Sequence, residues 1–272
     1  NQWNYTIGAS LRKLTTNGYW NLAISRNTLN NSVEKFEDNE NPSPATQTLF
    51  TDSRETENKL RFDVTTNTKG WKISYGTVLQ YVDFVNRFNN IYRKELRDQN
   101  GTIIQPEVRI NANSNTDFLK YGAFIQLGKK IAGDRIALGA GVRMDANTLN
   151  SSESNPLQQI SPRVSFSYAA APKWNINASI GSYYKLPSYT QLAFVNAMGQ
   201  SNPGKYIQSI HYVAGLEYIP SSTFRLTVEG FYKQYSDYPV SLIEGISLAN
   251  KGTDFGSIGN ESIVQTGKGR AY

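Results

Sequence analysis

This chain contains almost none of the histidine and cysteine residues on which many metal and catalytic sites depend. The sequence contains one histidine, His211, and no cysteine. Zinc sites in proteins use several such ligands, so this class of metal site is excluded. A serine nucleophile would need His211 as its base, and no G-x-S-x-G turn is present to carry that serine. We therefore interpret His211 as a polar wall residue, and we expect no catalytic residues, no metal site and no cofactor.

An acidic segment and a glycine-rich segment are the next candidates, the first for a cation site and the second for a phosphate-binding loop. The acids of Glu34–Glu40, with Asp52 and Glu55, lack the alternating ligands and central glycine of an EF-hand loop. A solvated loop is the favoured interpretation, and weak cation binding stays open. A phosphate-binding loop would need a strand-to-helix transition, which does not follow the glycines in question, so we expect them to serve turns and strand bends. These are Gly252, Gly256, Gly259, Gly267 and Gly269.

Basic side chains recur at the polar positions of segments in which apolar and polar residues alternate. They are Arg12, Arg61, Lys72, Lys120, Arg135, Arg143, Arg163, Arg225 and Lys233, against four acids at Asp63, Asp145, Glu217 and Glu229. If these positions line a lumen, their charge would attract anionic ligands, and Arg143, Arg163, Arg225 and Lys233 are the charge candidates. Pairing with neighbouring acids, or with a domain filling the lumen, would cancel that charge. Both interpretations stay open.

Aromatic and amide side chains in the long connecting segments could contact a ligand. Aromatic faces combined with amide donors suit sugars, peptides or metal chelates alike. The candidates are Tyr92, Tyr189, Gln191, Phe194, Asn196, Gln200 and Tyr206.

The elements that position these residues are predicted from alternation with a period of two, which is typical of strands with two unlike faces. The clearest example is 135–145, where Ile136, Leu138, Ala140, Val142 and Met144 share one face. The same pattern occurs in about ten segments, most of them near the length that a tilted transmembrane strand requires. Tyr and Trp cluster near the ends of these segments, as interfacial aromatic residues do.

Short and long connections alternate strictly along the chain. Tight turns are predicted at Thr15–Gly18, Asn67–Gly70, Lys129–Asp134, Ala170–Lys173 and Pro220–Thr223. Long segments lie between them, at about 29–56, 85–116, 147–159, 187–206 and 237–264. An up-and-down sheet with all its long loops at one end produces this order, and outer-membrane barrels have this form. The predicted fold is all-β, an antiparallel up-and-down transmembrane β-barrel.

The composition agrees with this prediction. The hydrophobic fraction is 39% and the mean hydropathy is −0.50, as expected when only every second strand residue is apolar. The net charge of +6 does not favour nucleic-acid binding, because the basic residues form no cluster. Because strand edges in lipid need partners, we expect the sequence to continue beyond both ends. We also expect it to be a mature form or an internal fragment, since no signal peptide opens it.

Several segments resemble TonB-dependent outer-membrane receptors, in particular those of the Bacteroidetes type. They are Ile160–Tyr168, Gly181–Ser188, Gly215–Tyr218, Phe231–Tyr235, Ser247–Gly252 and Gly267–Tyr272. The resemblance is good over 160–272 and diffuse over 1–159. It implies a 22-stranded barrel with an N-terminal plug, of which about 10–11 strands are present. Residues 1–272 would then be a partial barrel domain without the plug.

The resemblance implies TonB-dependent uptake of a bulky, scarce solute across the cell outer membrane. Ferric siderophores, other metal chelates, cobalamin, glycans and peptides are the expected solutes. The implied partners are outer-membrane lipid and the TonB–ExbB–ExbD system, acting through a plug not present here. The alternative is a passive barrel, a porin or adhesin, which fits the strands and loops equally well but not the motifs over 160–272. A soluble β-rich binding protein is a third hypothesis, and it predicts no alternation of loop length.

Overall fold

The computed structural model describes residues 1–38, 40–251 and 259–272, and β-strands dominate them. The strands are β1 (Gln2–Thr15), β2 (Gly18–Phe36), β3 (Gln47–Thr68), β4 (Trp71–Arg93), β5 (Leu96–Arg97), β6 (Ile103–Gln105), β7 (Val108–Ile131), β8 (Ile136–Asn147), β9 (Ile160–Ala171), β10 (Trp174–Lys185), β11 (Ile207–Ser221), β12 (Phe224–Ser241) and β13 (Ile263–Ala271). A short helix, α1 (Tyr189–Ala193), and 3₁₀ turns at Pro44–Thr46, Ser151–Ser154 and Pro156–Gln159 complete the regular structure.

Eleven strands of the described residues form one sheet in the order β1-β2-β3-β4-β7-β8-β9-β10-β11-β12-β13. Each neighbouring pair is antiparallel, so the sheet is an up-and-down meander. Strands β5 and β6 form a separate hairpin within the β4–β7 connection. The sheet confirms the predicted fold class and the predicted number of strands.

The alternation of short and long connections is also confirmed. The turn between β3 and β4 shows why a short connection suffices, since Lys69 and Gly70 both have positive φ, 46° and 77°. Two successive positive φ values define the type I′ turn, whose twist matches that of the flanking strands. The long connections all lie at the opposite end of the sheet.

Two predicted loops are shorter than expected because four strands continue past the membrane region. The sequence predicts long loops at about 29–56 and 85–116, but β2 continues to Phe36, β3 begins at Gln47, β4 continues to Arg93 and β7 begins at Val108. Hydrocarbon contacts neither face of these extensions, so their pairing does not require one apolar face. The periodic signal on which the prediction depended is therefore lost there.

One face of the sheet is apolar across its first ten strands, β1 to β4 and β7 to β12, because cross-strand partners share a face. The register pairs Leu22 with Phe62, for example, and Leu60 with Leu79. On β4 this outer face carries Trp71, Ile73, Tyr75, Leu79 and Tyr81, with Thr77 as its one polar residue, and this length suits a transmembrane strand. Many large apolar side chains on it are exposed, among them Ile7, Leu11, Ile24, Leu60, Ile125, Leu138, Val164, Ile180, Leu216 and Val228.

Beyond the apolar band the same outer face becomes polar. Strand β4 continues from Tyr81 to Asp83, and β7 changes from Leu119 to Asp117, directly opposite Asp83. The reverse face, which we call the lumenal face, is mostly polar along the band but carries Val82, Phe84 and Phe118 above it. These three side chains are 0–3% exposed, so the buried core lies on the lumenal side, near the long loops.

Candidate functional site

The connection between β10 and β11, residues 186–206, folds onto the lumenal face of β4 and β7. Helix α1 in this connection places the ring of Tyr189 6.0 Å from that of Phe84 and 5.8 Å from that of Phe118. Leu192 and Tyr206 are buried in the same cluster, together with Val82, Phe118 and Leu186. Burial of this apolar surface holds the connection against the wall.

A polar triad lies at the edge of this apolar contact. The hydroxyl of Tyr189 donates a hydrogen bond to the carboxylate of Glu57 on β3. The ammonium of Lys120 on β7 donates to the Tyr189 hydroxyl and, at 3.3 Å, to Glu57. Burial, followed by the hydrogen bond and charge of Glu57, raises the pKa of Tyr189 far above its usual value. The phenol therefore stays neutral and serves as a donor at physiological pH.

A cavity of about 460 Å³ lies between this connection and the wall. Lys120, Arg143 and Lys185 supply positive charge at its lining, and Glu55 and Asp145 supply negative charge. The rings of Tyr184, Tyr189 and Tyr206 also line it. Burial raises the pKa of Tyr206 to about 12, so this hydroxyl too stays protonated. The size and mixed lining suit a polar ligand with apolar parts.

Six of the seven predicted ligand contacts lie in the 186–206 connection, where they divide into three groups. Tyr189 and Tyr206 line the cavity, and Gln191 and Phe194 are buried in the same connection. The side-chain oxygen of Asn196 accepts backbone hydrogen bonds from Met198 and Gln200 and closes the turn at the tip.

Tyr92 lies apart from the other six, beside Lys251. The structure therefore brings two of the seven residues together at the cavity. Whether any of the seven contacts a ligand stays a prediction.

A second cluster ties the described part of the β12–β13 connection to the end of β4. The ammonium of Lys251 contacts Glu261 at 2.6 Å and Glu244 at 3.1 Å, and it donates to the Tyr92 hydroxyl at 2.6 Å. The side chains of Lys251 and Glu261 are 9% and 1% exposed. Burial lowers the pKa of Lys251, but hydrogen bonds to Glu261, Tyr92 and Glu244 outweigh burial, and the net shift is upward.

Asn202 joins the two connections to each other. Its side-chain amide donates to the backbone oxygens of Gln191 at 3.0 Å and of Glu261 at 2.9 Å. Asn86 on β4 donates to Asn260 at 2.7 Å. The glycine-rich segment considered from the sequence falls partly here, and its Gly252 and Gly256 lie outside the described residues.

The four lumen charge candidates lie on the lumenal face in different environments. Arg143 forms a two-point ion pair with Asp145, at 2.6 and 2.7 Å, and Arg225 pairs with Glu217. Lys233 lies 4.9 Å from the ring centre of Phe231, and the Arg163 guanidinium lies 4.3 Å from that of Tyr183. Pairing with neighbours thus applies to two of the four.

Several residues at these contacts were not identified from the sequence. They are Glu57, Lys251 and Glu261. The hydrogen bond of Glu57 with Tyr189 spans 132 residues of the chain, that of Lys251 with Tyr92 spans 159, and that of Glu261 with Lys251 spans 10. No local spacing encodes the two longer separations. Within the described residues, no helix is long and apolar enough to cross a membrane. No group of three or more potential His, Cys, Asp or Glu metal ligands occurs in that part of the chain either.

Comparison with known proteins gives one family and a set of similar folds. Residues 1–272 match the family described as TonB dependent receptor-like, beta-barrel. The ferric yersiniabactin uptake receptor FyuA from Yersinia pestis is similar in structure, with a TM-score of 0.64 and 14% identity over 88% of this chain and 36% of that chain. The copper transporter OprC is also similar in structure, with a TM-score of 0.61 and 15% identity over 90% of this chain and 41% of that chain.

The pyoverdine outer membrane receptor FpvA from Pseudomonas aeruginosa PAO1 gives a TM-score of 0.62 and 13% identity over 99% of this chain and 40% of that chain. At such identities the likeness shows the fold alone. This chain spans about two-fifths or less of the length of these three structures. No curated protein matches its sequence.

Proposed function

The chain belongs to the TonB-dependent receptor β-barrel family, which comprises outer-membrane transport proteins rather than enzymes, and on that premise we propose that the full-length protein takes up a bulky, scarce solute across the outer membrane. The observation that carries this proposal is the family match over all 272 residues. The exposed apolar face supports it, because a soluble protein would bury such a surface.

We assign this chain to the wall and the solute-contacting loops of that receptor. Tyr189 and Tyr206 are proposed to contact the solute in the 460 Å³ cavity. Asn196 and Gln200, at the tip of the same connection, would meet it first. Tyr92, Gln191 and Phe194 are proposed to act from within the loop packing, by holding the loops in place.

The solute class and the energy source belong to the same proposal. The similar structures are described as receptors or transporters for copper, ferric yersiniabactin and pyoverdine. A ferric siderophore or another metal chelate is therefore a leading candidate, beside cobalamin, glycans and peptides. Energy would come from TonB, ExbB and ExbD through a plug domain, with residues 1–272 as part of the barrel. The Bacteroidetes type stays a prediction.

Uptake by cells that express the full-length protein tests the proposal. One labelled solute from each class is supplied to cells with TonB and to cells without it. We expect one class to accumulate only in cells with TonB. A passive porin or adhesin predicts the same uptake in both strains, with smaller solutes entering faster, and that result would overturn the proposal.

A further inference from the structure

Arg26 on β2 places a positive charge on the outer face, next to apolar side chains of the band that meets lipid. Its cross-strand neighbour on β1 is Ile7, and the adjacent outward residue of β2, nearer the short turns, is Ile24. The two isoleucines are 68% and 61% exposed. Arg26 is exposed as well, and it has no ion pair in the part of the chain that the structure describes. A charge in this position needs a polar partner at the membrane surface, because hydrocarbon supplies none.

The position of Arg26 along its strand assigns it to the edge of the outer leaflet. A transmembrane strand needs about 9–11 residues, and Arg26 lies about eight residues beyond Gly18, the first residue of β2. Gly18 follows a short turn, and barrels of this kind have their short turns in the periplasm. Arg26 therefore lies just inside the extracellular boundary, where the cost of an exposed charge falls steeply. The lipid headgroups of the outer leaflet are within reach of its side chain.

Two hydrogen bonds hold the guanidinium of Arg26 in place. Its Nε atom donates to the hydroxyl of Tyr5 on β1, and its Nη1 atom donates to the side-chain oxygen of Asn58 on β3, both at 3.0 Å. Tyr5 lies opposite Thr28, one outward position closer to the long loops than Arg26, so this contact draws the guanidinium towards the headgroups. The Nη2 atom donates no hydrogen bond to the described residues. Its free donors match the oxygens of a phosphate group.

The acidic side chains of the outer face lie away from Arg26. Asp83 on β4 is the nearest of them in the register, and it lies opposite Asp117 on β7. Neighbouring strands are about 4.8 Å apart, so two strand spacings separate the backbone of Asp83 from that of Arg26. Asp83 also lies one outward position closer to the long loops. The charge of Arg26 is therefore left available to an anionic group from the membrane.

We propose that Arg26, Tyr5 and Asn58 form a site that binds the phosphate group of an outer-leaflet lipid. We call these three residues the Arg26 site. The guanidinium binds phosphate oxygens, the side-chain nitrogen of Asn58 is a further donor, and the acyl chains of the same lipid lie against Ile7 and Ile24. The site goes beyond the proposed uptake, because it lies on the opposite side of the sheet from the lumen and does not depend on the solute.

Lipid binding to the detergent-solubilised full-length receptor tests the site. The two probes are lipid A with its phosphates and the same lipid after their removal, and native mass spectrometry counts the bound molecules. We expect wild type to bind the phosphorylated lipid about tenfold more tightly, and Arg26→Gln to lose this preference. Arg26→Lys keeps the charge without the planar fork and should keep only part of the preference. Arg87→Gln removes a charge from the outer face beyond the apolar band and should bind both lipids like wild type.

Inorganic phosphate separates a lipid site from a site for a free anion. At the concentration of the lipid it should displace none of the bound lipid, because the acyl chains add apolar contact with the band. Displacement at equal concentration would assign the site to free phosphate and overturn the lipid. Equal binding of the two lipids by wild type, or an unchanged preference in Arg26→Gln, would also overturn the site. If Arg26→Gln does not fold, Arg26→Lys takes its place, and an undiminished preference in that variant overturns recognition by the guanidinium fork.

Discussion

Tyr189 joins the 186–206 connection to the wall through both its ring and its hydroxyl. The ring packs between Phe84 and Phe118, and the hydroxyl donates to Glu57. The ring contributes non-directional burial, whereas the hydrogen bond determines where α1 docks along the wall. Removing the hydroxyl alone separates these two contributions.

The Tyr189→Phe variant should loosen the 186–206 connection without unfolding the barrel. A lost hydrogen bond to a charged group costs about 1.5–3 kcal/mol, part of which is recovered because Lys120 still donates to Glu57. Hydrogen exchange at residues 188–206 should become faster. Tyr75→Phe, on the exposed outer face, is the control and should leave these rates unchanged. Unchanged exchange in Tyr189→Phe would show that the ring alone holds the loop.

Lys251 provides a second prediction at the scale of residues. The Lys251→Met variant leaves the carboxylate of Glu261 buried without its cation, which costs about 3–5 kcal/mol. Only the contact between the β12–β13 connection and β4 opens at this cost. Hydrogen exchange should therefore become faster at residues 240–251 and 259–263. Lys251→Arg keeps the charge and should rise less. If Lys251→Met exchanges like wild type, the ion pair does not hold the connection.

The contact that Lys251 makes between the β12–β13 connection and β4 should also be sensitive to alkaline pH. Burial lowers the pKa of Lys251, but its hydrogen bonds outweigh burial. The pKa of Lys251 in the folded protein therefore lies above its usual 10.5. The stabilisation is therefore complete below about pH 10.5 and is lost as the pH rises through the folded pKa. Opening of the loop, followed by hydrogen exchange, should increase above that pH in wild type. Lys251→Met should lack this dependence.

At the scale of elements, turn and strand glycines decide how closely neighbouring strands approach. Gly18, the first residue of β2, is the tightest case, because a Cβ there would lie 1.9 Å from the backbone oxygen of Thr65. Gly18→Ala should therefore displace β2 from β3 and destabilise the sheet by about 1–3 kcal/mol. Urea unfolding of the full-length protein measures the effect. Gly230→Ala, where no atom lies within 4 Å, should change stability little. Equal midpoints for the two variants would contradict this account.

How well each element could be predicted from the sequence depends on the solvent that contacts its two faces. Strands with hydrocarbon on one side need strict alternation, so their number, order and turns were predicted from the sequence. The extensions of β2, β3, β4 and β7 contact no hydrocarbon, and their ends were predicted wrongly. Helix α1 was missed because its five residues are too few for a periodic signal. Its docking depends on Glu57, 132 residues distant, a contact that no local pattern specifies.

At the scale of the whole molecule, two surfaces of opposite polarity are separated by one strand thickness. The outer face must stay apolar where it meets lipid, whereas the lumenal face can carry charged side chains such as Arg143 and Arg225. Consecutive residues on one strand therefore have opposite tolerances for charge. The chain can thus change its lumenal chemistry while keeping the same membrane surface.

Val228 and Thr227 on β12 test this division directly. Val228 lies in the exposed apolar band and is 64% exposed, whereas Thr227 faces the lumen opposite Glu217. Val228→Lys should lower the free energy of folding into bilayers by about 2–4 kcal/mol, since the side chain would place an ammonium near the bilayer midplane. Thr227→Lys adds the same charge beside a carboxylate and should cost little. Reversible urea titration in lipid vesicles measures both. A larger loss for Thr227→Lys would mean that the assignment of the two faces is inverted, because only the lipid-facing position imposes the full cost of burying a charge in hydrocarbon.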